Sequence, residues 1–368
     1  MIYLDYASHT NIDTSIFSKL IELSNTYPLN VNSLYQNNFN GYEKYTEYET
    51  KIKKLTNLEN YDFVLTSSAT ESNNLALKGY SDIYKLFGKH IISTPYEHSS
   101  ISGSPNTLKE NGFEIEYVEI DNNGFIDLNS LTKLIRKDTI LVSISSVNSE
   151  SGHIQNINAI SDIIHNNPNT ALHIDATQSF GKIPLDYSVA DLISCSAHKF
   201  YGPTSGCGGL FIKNNLSLKP QIDGGKAITQ YRSSTPDLLM IAAFYYAAKN
   251  MFDNIYKNFT YVKNLQSILK DYFLQAKCLI NSDCNNPYIL NVSTNLPGQE
   301  IQKTLAELDI FISTKSSCSA KNALPKTVMS IYNDKNRAKN SIRISLSHKT
   351  TLNEIEIFIN EIGKLING

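Results

Sequence analysis

The stretch SCSAHKFYGP, residues 194–203, sets His198 and Lys199 side by side where an apolar run gives way to a Gly-Pro turn. A lysine at the end of a buried strand loses water, which favours its neutral, nucleophilic amine. Three other strand-like runs also end in polar residues. YDFVLTS leads into Ala69 and Thr70 of SATESNN, HIISTP into His98 of YEHSS, and TALHI into Asp175 and Gln178. One such residue is ordinarily a turn former. Four sets on separate strands read as one site, because open α/β sheets bind ligands beyond the carboxyl ends of their strands. Together they offer an amine that condenses with an aldehyde and a carboxylate that keeps a heteroaromatic nitrogen protonated. They add an imidazole flat enough to stack on a ring, and a helix start with free N–H groups and a hydroxyl for a phosphate. These are the parts that pyridoxal 5'-phosphate (PLP) requires.

The elements that must position these residues are legible as alternation. Apolar, β-branched runs at 61–67, 90–95, 114–120, 139–147, 170–176, 191–197 and 208–213 are separated by helix-like segments such as ESNNLALKGY, LNSLTKLIRK and INAISDIIHNN. Nearly continuous apolar strands between helices predict a mostly parallel sheet covered on both faces. From Pro236 a long, largely helical stretch begins. The texture then changes to YILNVST, EIQKTLAELD, IFIST and SIRISLS. A final helix opens on a capping-box pattern, Thr351 to Glu354, with Ile355, Phe358, Ile359, Ile362, Leu365 and Ile366 on one stripe. The pattern predicts a large α/β domain over residues 15–254. Residues 1–14 and 255–368 are expected to form a smaller α+β domain.

Composition narrows the partners. The chain has 368 residues, 41% hydrophobic and 18% charged, and a net charge of −2, which gives no support for nucleic-acid or anionic-membrane binding. No run approaches the roughly 20 apolar residues of a membrane-spanning helix. The start, MIYLDYASHT, lacks a signal-peptide layout, so a cytoplasmic enzyme is the expectation. Five cysteines with no CxxC pair argue against both a disulfide framework and a structural metal site. Cys195, Cys207, Cys278 and Cys284 read as structural. The many tyrosines read as packing and dimer surface.

The segments YLDYAS, TSSATESNN, YEHSS, VNSESG, HIDATQSFGKIPLD, SCSAHKFYGP, RSSTPD, STKSSCSA and SIRISLS span nearly the whole chain. Together they resemble the cysteine desulfurases, class V, fold type I PLP enzymes on the nitrogen-fixation and iron–sulfur-cluster side. The resemblance implies a homodimer that converts L-cysteine to L-alanine and passes the sulfur on. In that scheme Lys199 bonds covalently to the cofactor, Asp175 pairs with its ring nitrogen, Gln178 meets its ring oxygen, and His98 stacks and assists proton transfer. Ala69, Thr70, Ser196 and His198 hold the phosphate, helped by Thr235 from a second subunit. Arg343 grips the substrate carboxylate with its guanidinium fork, beside Asn148. Cys318 takes the sulfur as a persulfide and hands it to an acceptor protein for iron–sulfur cluster assembly or for thiolation of a cofactor or tRNA. The neighbouring serines and Lys315 suit a thiolate there.

The sequence departs from the family in places. VNSE replaces VNNE, so Ser149 stands where an asparagine lies near the ring oxygen. DYASHT replaces the opening DNAATT, and LSH replaces LGR after Arg343. No tail matching the scaffold-docking segment of housekeeping members follows the last helix. These departures point to a divergent member with a different sulfur acceptor. A selenocysteine lyase or other C–S lyase, and an inactive paralogue acting as a binding subunit, are the rival readings on the same scaffold.

Overall fold

The computed structural model describes residues 1–27, 30–33, 40–225, 228–282, 285–315 and 324–366. Twelve strands are seen among these residues: β1 (Ile2–Tyr3), β2 (Tyr61–Thr66), β3 (His90–Ser93), β4 (Glu114–Tyr117), β5 (Thr139–Ser145), β6 (Ala171–Asp175), β7 (Leu192–Ser196), β8 (Gly208–Lys213), β9 (Leu279–Ile280), β10 (Ile289–Ser293), β11 (Ile310–Phe311) and β12 (Ser341–Ser345). Seven form one sheet in the order β2-β8-β7-β6-β5-β3-β4. Its neighbours from β7 to β4 pair in parallel, and β8 runs antiparallel to both β7 and β2. This is the mostly parallel sheet that the alternation predicts.

Why these runs form strands is visible in their burial. Every residue of β6 and β7 is buried, as both faces of a central strand must be. On one face Phe63, Ile92, Ile144, Ile174 and Phe211 pack into a cluster with helices Ser15–Thr26, Gly41–Leu55 and Leu238–Phe252. On the other, Val64, Ile91, Leu141, Leu192 and Leu210 meet a helical run from Ala69 to Tyr84 that contains a π turn at Leu75–Gly79. The edge strand β4 ends at Tyr117, short of the apolar run 114–120, and its Glu114 and Tyr117 are exposed.

A second core gathers the remaining elements. β12, β10 and β9 form an antiparallel sheet, and β1 pairs in parallel with β11. Helix Ile255–Gln275, helix Gly298–Glu307 and helix Leu352–Ile366 contribute to the same apolar cluster. The last helix carries the expected capping box: Thr351 N donates to Glu354 Oε2 at 2.7 Å and Glu354 N to Thr351 Oγ1 at 3.2 Å. Among the described residues no helix is long and apolar enough to cross a membrane.

Register aligns the chemistry. Thr66 and Ser196 both lie opposite Gly208, Asp175 lies between Ser145 and Ser194, and Ser93 lies opposite Ser143. The carboxyl ends of β2, β3, β5, β6 and β7 therefore share one edge of the sheet. Gly208 is glycine for a reason of space: a Cβ there would lie 2.6 Å from the Ser68 carbonyl carbon and 2.7 Å from its Cα. Only a bare backbone lets the loop after β2 close over the start of β8.

Candidate active site

A cavity of about 380 Å³ opens at that edge, within the usual range for small-ligand sites. The Ser68–Thr70 turn, His98, Asn148, Ser149, Asp175, Gln178, His198, Lys199 and Arg343 all line it, as do Ala7, Ser8 and His9 of the N-terminal segment. Of the residues expected at the site, Ser196 is one contact back: its Oγ is 2.9 Å from Nδ1 of the lining His198. Thr235 lies apart from this chain's cavity. It lines a second pocket of about 250 Å³ with Ser67, Tyr45 and Arg232. Cys318 lies outside the described residues.

At the floor, Asp175 is 5% exposed and accepts two hydrogen bonds, from Thr177 N at 2.9 Å and from Asn73 Nδ2 at 2.8 Å. Asn73 Nδ2 also donates to Ser100 Oγ, which is 2.9 Å from His98 Nδ1. The carboxylate and the imidazole are thus tied together by a helix residue from SATESNN and the serine two places after His98. Burial, and then Lys199 against the pull of Asp175, lowers the proton affinity of His98. Burial also pushes His198 down to about 3, helped by Lys199 and His9. Both rings are therefore neutral at neutral pH. His9 stacks on His198 with ring centroids 5.8 Å apart.

Lys199 reaches into the cavity from the turn after β7, where its Nζ donates to Ala7 O at 2.8 Å and Ser8 O at 2.5 Å. It is only partly buried. The desolvation expected of it falls instead on Lys182, seven residues after Asp175, which is 7% exposed. Arg343 is 1% exposed in the middle of β12, and its Nη2 donates to Asp5 Oδ1 at 2.7 Å and Ser8 Oγ at 2.6 Å, its Nη1 to Ser149 O at 2.8 Å. Ser149 so touches the arginine through its backbone. The Oδ1 of Asn148 is engaged within its own turn, by Glu150 N and Ser151 N at 2.9 Å each, and by Thr327 Oγ1 at 3.2 Å.

The site residues that sequence reasoning missed are Asp5, Ser8, His9, Asn73 and Lys182. In the opening segment, YLDYAS carries part of the family resemblance and DYASHT a departure from it, and neither gives these residues a role at the site. Nothing in its spacing announces that Thr10 would bond His198 O, through both its N at 2.9 Å and its Oγ1 at 2.8 Å, and draw the segment across the cavity.

The family model for class-V aminotransferases matches residues 2–358. The chain is also 36% identical to cysteine desulfurase IscS of Buchnera aphidicola, over 100% of this chain and 93% of that protein. It belongs to the cysteine desulfurases of the class-V aminotransferase family. A second relative, cysteine desulfurase IscS of Neisseria gonorrhoeae, is 34% identical over 99% of this chain and 93% of its own length. Among solved structures, a NifS-like protein superposes with a TM-score of 0.91 at 28% identity, covering 100% of this chain and 99% of that one. A NifS-like protein from Rickettsia africae gives 0.87 at 29% identity, with 100% of both chains covered.

PLP is the cofactor of this family, and the cavity fits it. Three buried polar atoms at or just behind the wall, Asn73 Oδ1, Thr177 Oγ1 and Arg343 Nε, have no hydrogen-bond partner among the described residues. Buried polar atoms are ordinarily satisfied, so unpaired ones around a cavity mark places for a bound polar group. The donor set has the right chemistry too: an amine, a carboxylate held by two donors, neutral imidazoles and a guanidinium.

Proposed function

We propose that the protein is a homodimeric PLP-dependent cysteine desulfurase that turns L-cysteine into L-alanine and carries the sulfur on Cys318 to an acceptor protein. The observation that carries this reading is the convergence of Lys199, Asp175, His98 and Arg343, from four separate elements, on one cavity. Lys199 would hold the cofactor covalently, Asp175 would pair with its ring nitrogen, and His98 would stack on the ring. Gln178 and Ser149 would flank the ring oxygen. Ala69, Thr70, Ser196 and His198 would take the phosphate. When bound, the cofactor supplies an electron sink that weakens the bonds around the substrate's α-carbon.

The chain's own residues account for the rest. Arg343 offers a buried guanidinium whose Nε is unpaired, which suits a substrate carboxylate, and Asn148 lies beside it on the cavity wall. Ser100 N donates to His98 Nδ1 at 3.2 Å, so the neutral ring keeps its proton on Nε2. Enzyme thiol and L-cysteine give enzyme persulfide and L-alanine: the substrate's carbon–sulfur bond breaks and a sulfur–sulfur bond forms at Cys318, with no outside oxidant. Both flanks of the segment that holds Cys318 support this role. Ser313 bridges to Arg343 in β12, and Thr327 N donates to Glu150 Oε2 at 2.9 Å. The placement of Thr235 outside its own chain's cavity supports a dimer in which each subunit supplies that residue to the other. Iron–sulfur cluster assembly, or thiolation of a cofactor or tRNA, is the destination of the sulfur.

Purified protein given L-cysteine is expected to yield alanine and a persulfide on Cys318 that alkylation traps for mass spectrometry. Lys199→Ala is expected to lose the covalently held, yellow cofactor. Alanine formation untouched by Cys318→Ala would indicate a C–S lyase instead, and absence of both cofactor and turnover an inactive binding subunit.

A further inference from the structure

Lys182 is the only fully buried lysine among the described residues, and no carboxylate there pairs with it. A buried amine without a counter-ion lowers stability, so packing gives no reason to keep one. Its contact is chemical instead. Nζ donates to Gln178 Oε1 at 3.2 Å, one helical turn back along the chain, and Gln178 Nε2 donates to Ala7 O at 2.9 Å. Ala7 O can only accept, so the amide nitrogen must face it and the amide oxygen must face Lys182. The same Ala7 O receives Nζ of Lys199.

We infer that Lys182 is a positioning residue: with Ala7 O it fixes which way the Gln178 amide faces, so that the second Nε2 proton is offered to the cavity. The inference rests on the reading that the cavity holds PLP with Gln178 beside the ring oxygen. Burial, with the facing charges of Lys199 and Arg343 acting in the same direction, lowers the Lys182 pKa to about 7. An amine so placed is largely neutral in mildly alkaline solution, where it can stay buried and still donate.

The test is a pH titration of the visible absorbance of the holoenzyme, in the wild type, Lys182→Met and Lys182→Gln. Methionine keeps the length and removes the donor. It is expected to retain the cofactor and to melt at an equal or higher temperature. Its titration midpoint should rise by roughly one pH unit, the scale of one lost hydrogen bond to a charged group. Glutamine, an uncharged donor, is expected to recover most of that shift. A merely structural lysine would change the melting temperature and leave the midpoint alone. A wild-type midpoint in Lys182→Met overturns the inference, as does an equal shift in both variants, which would indicate a charge effect. Lys182→Ala, read the same way, stands in should the methionine variant not fold. A wild-type protein that binds no PLP would overturn the underlying reading instead, so the two failures are distinct.

Discussion

Asp5 and Arg343 are 338 residues apart and joined by one hydrogen-bonded ion pair, Oδ1 to Nη2 at 2.7 Å. The pair fastens the N-terminal segment to β12, and between them run the backbone oxygens that receive Lys199. Removing the carboxylate strands a guanidinium that is 1% exposed. Asp5→Ala is expected to cost about 3 kcal/mol, the lower end for breaking a buried pair, since the Asp5 side chain is 19% exposed. A shift in the urea midpoint at unchanged slope measures it. A midpoint within error of wild type would mean that the pair is idle.

Glu97 gives the stability of the fold a pH dependence. It accepts hydrogen bonds from Thr94 Oγ1 at 2.7 Å, Ser145 N at 3.0 Å and also Ser145 Oγ. Burial outweighs these donors and, with Asp175, raises its pKa from 4.5 to about 7. The folded protein then binds this proton more tightly than the unfolded chain. Its stabilising effect is complete below about pH 4.5 and is lost as the pH climbs to about 7, a swing of about 3 kcal/mol. Glu97→Gln, a permanent mimic of the protonated acid, is expected to remove that slope. Denaturant titrations of both proteins from pH 5 to 8 decide it, and parallel curves would sink the assignment.

Gly208 is a place where a single methyl group should matter. With Cβ 2.6 Å from the Ser68 backbone, Gly208→Ala must push the Ser68–Thr70 turn outward. We expect weaker cofactor retention together with a loss of about 1–3 kcal/mol of stability. Gly225→Ala is the control, because among the described residues nothing lies within 4 Å of a Cβ built there. Dialysis of the two holoenzymes against buffer, followed by absorbance, compares them. Equal retention would show that the turn yields freely.

The cysteines should separate by reactivity. Burial pushes the Cys195 and Cys207 thiols well up, and Cys278, half-buried, is raised less. Brief alkylation of the native protein is expected to spare Cys195 and Cys207, and to modify them only after unfolding. Peptide mass mapping reads the result. Native labelling of Cys195 would contradict its place in the sheet core.

The strands and most of the site were readable in the sequence because both depend on local pattern. Apolar runs such as TILVSIS and ALHID announce buried strands, and polar residues at their ends announce the edge that binds. Helix Gly41–Leu55 escaped because its buried side is made of Tyr45, Tyr48 and Ile52 amid charged neighbours, so its apolar stripe is faint. Strand direction escaped at β8, because GGLFIK reads alike for a strand running either way. The contribution of Asp5, Ser8 and His9 escaped for another reason. Their partners, Arg343, Lys199 and His198, lie far along the chain, and only the finished fold brings them together.

The arrangement sets an order of assembly during synthesis. The main sheet is complete once Lys213 has been added, so a nascent chain can begin to shape the bed for its prosthetic group well before β12 is made. Asp5 and Ser8 must wait for Arg343, 338 and 335 residues further along the chain, to leave the ribosome. The contact that fastens the N-terminal segment beside the cavity is thereby withheld until β12 has been made.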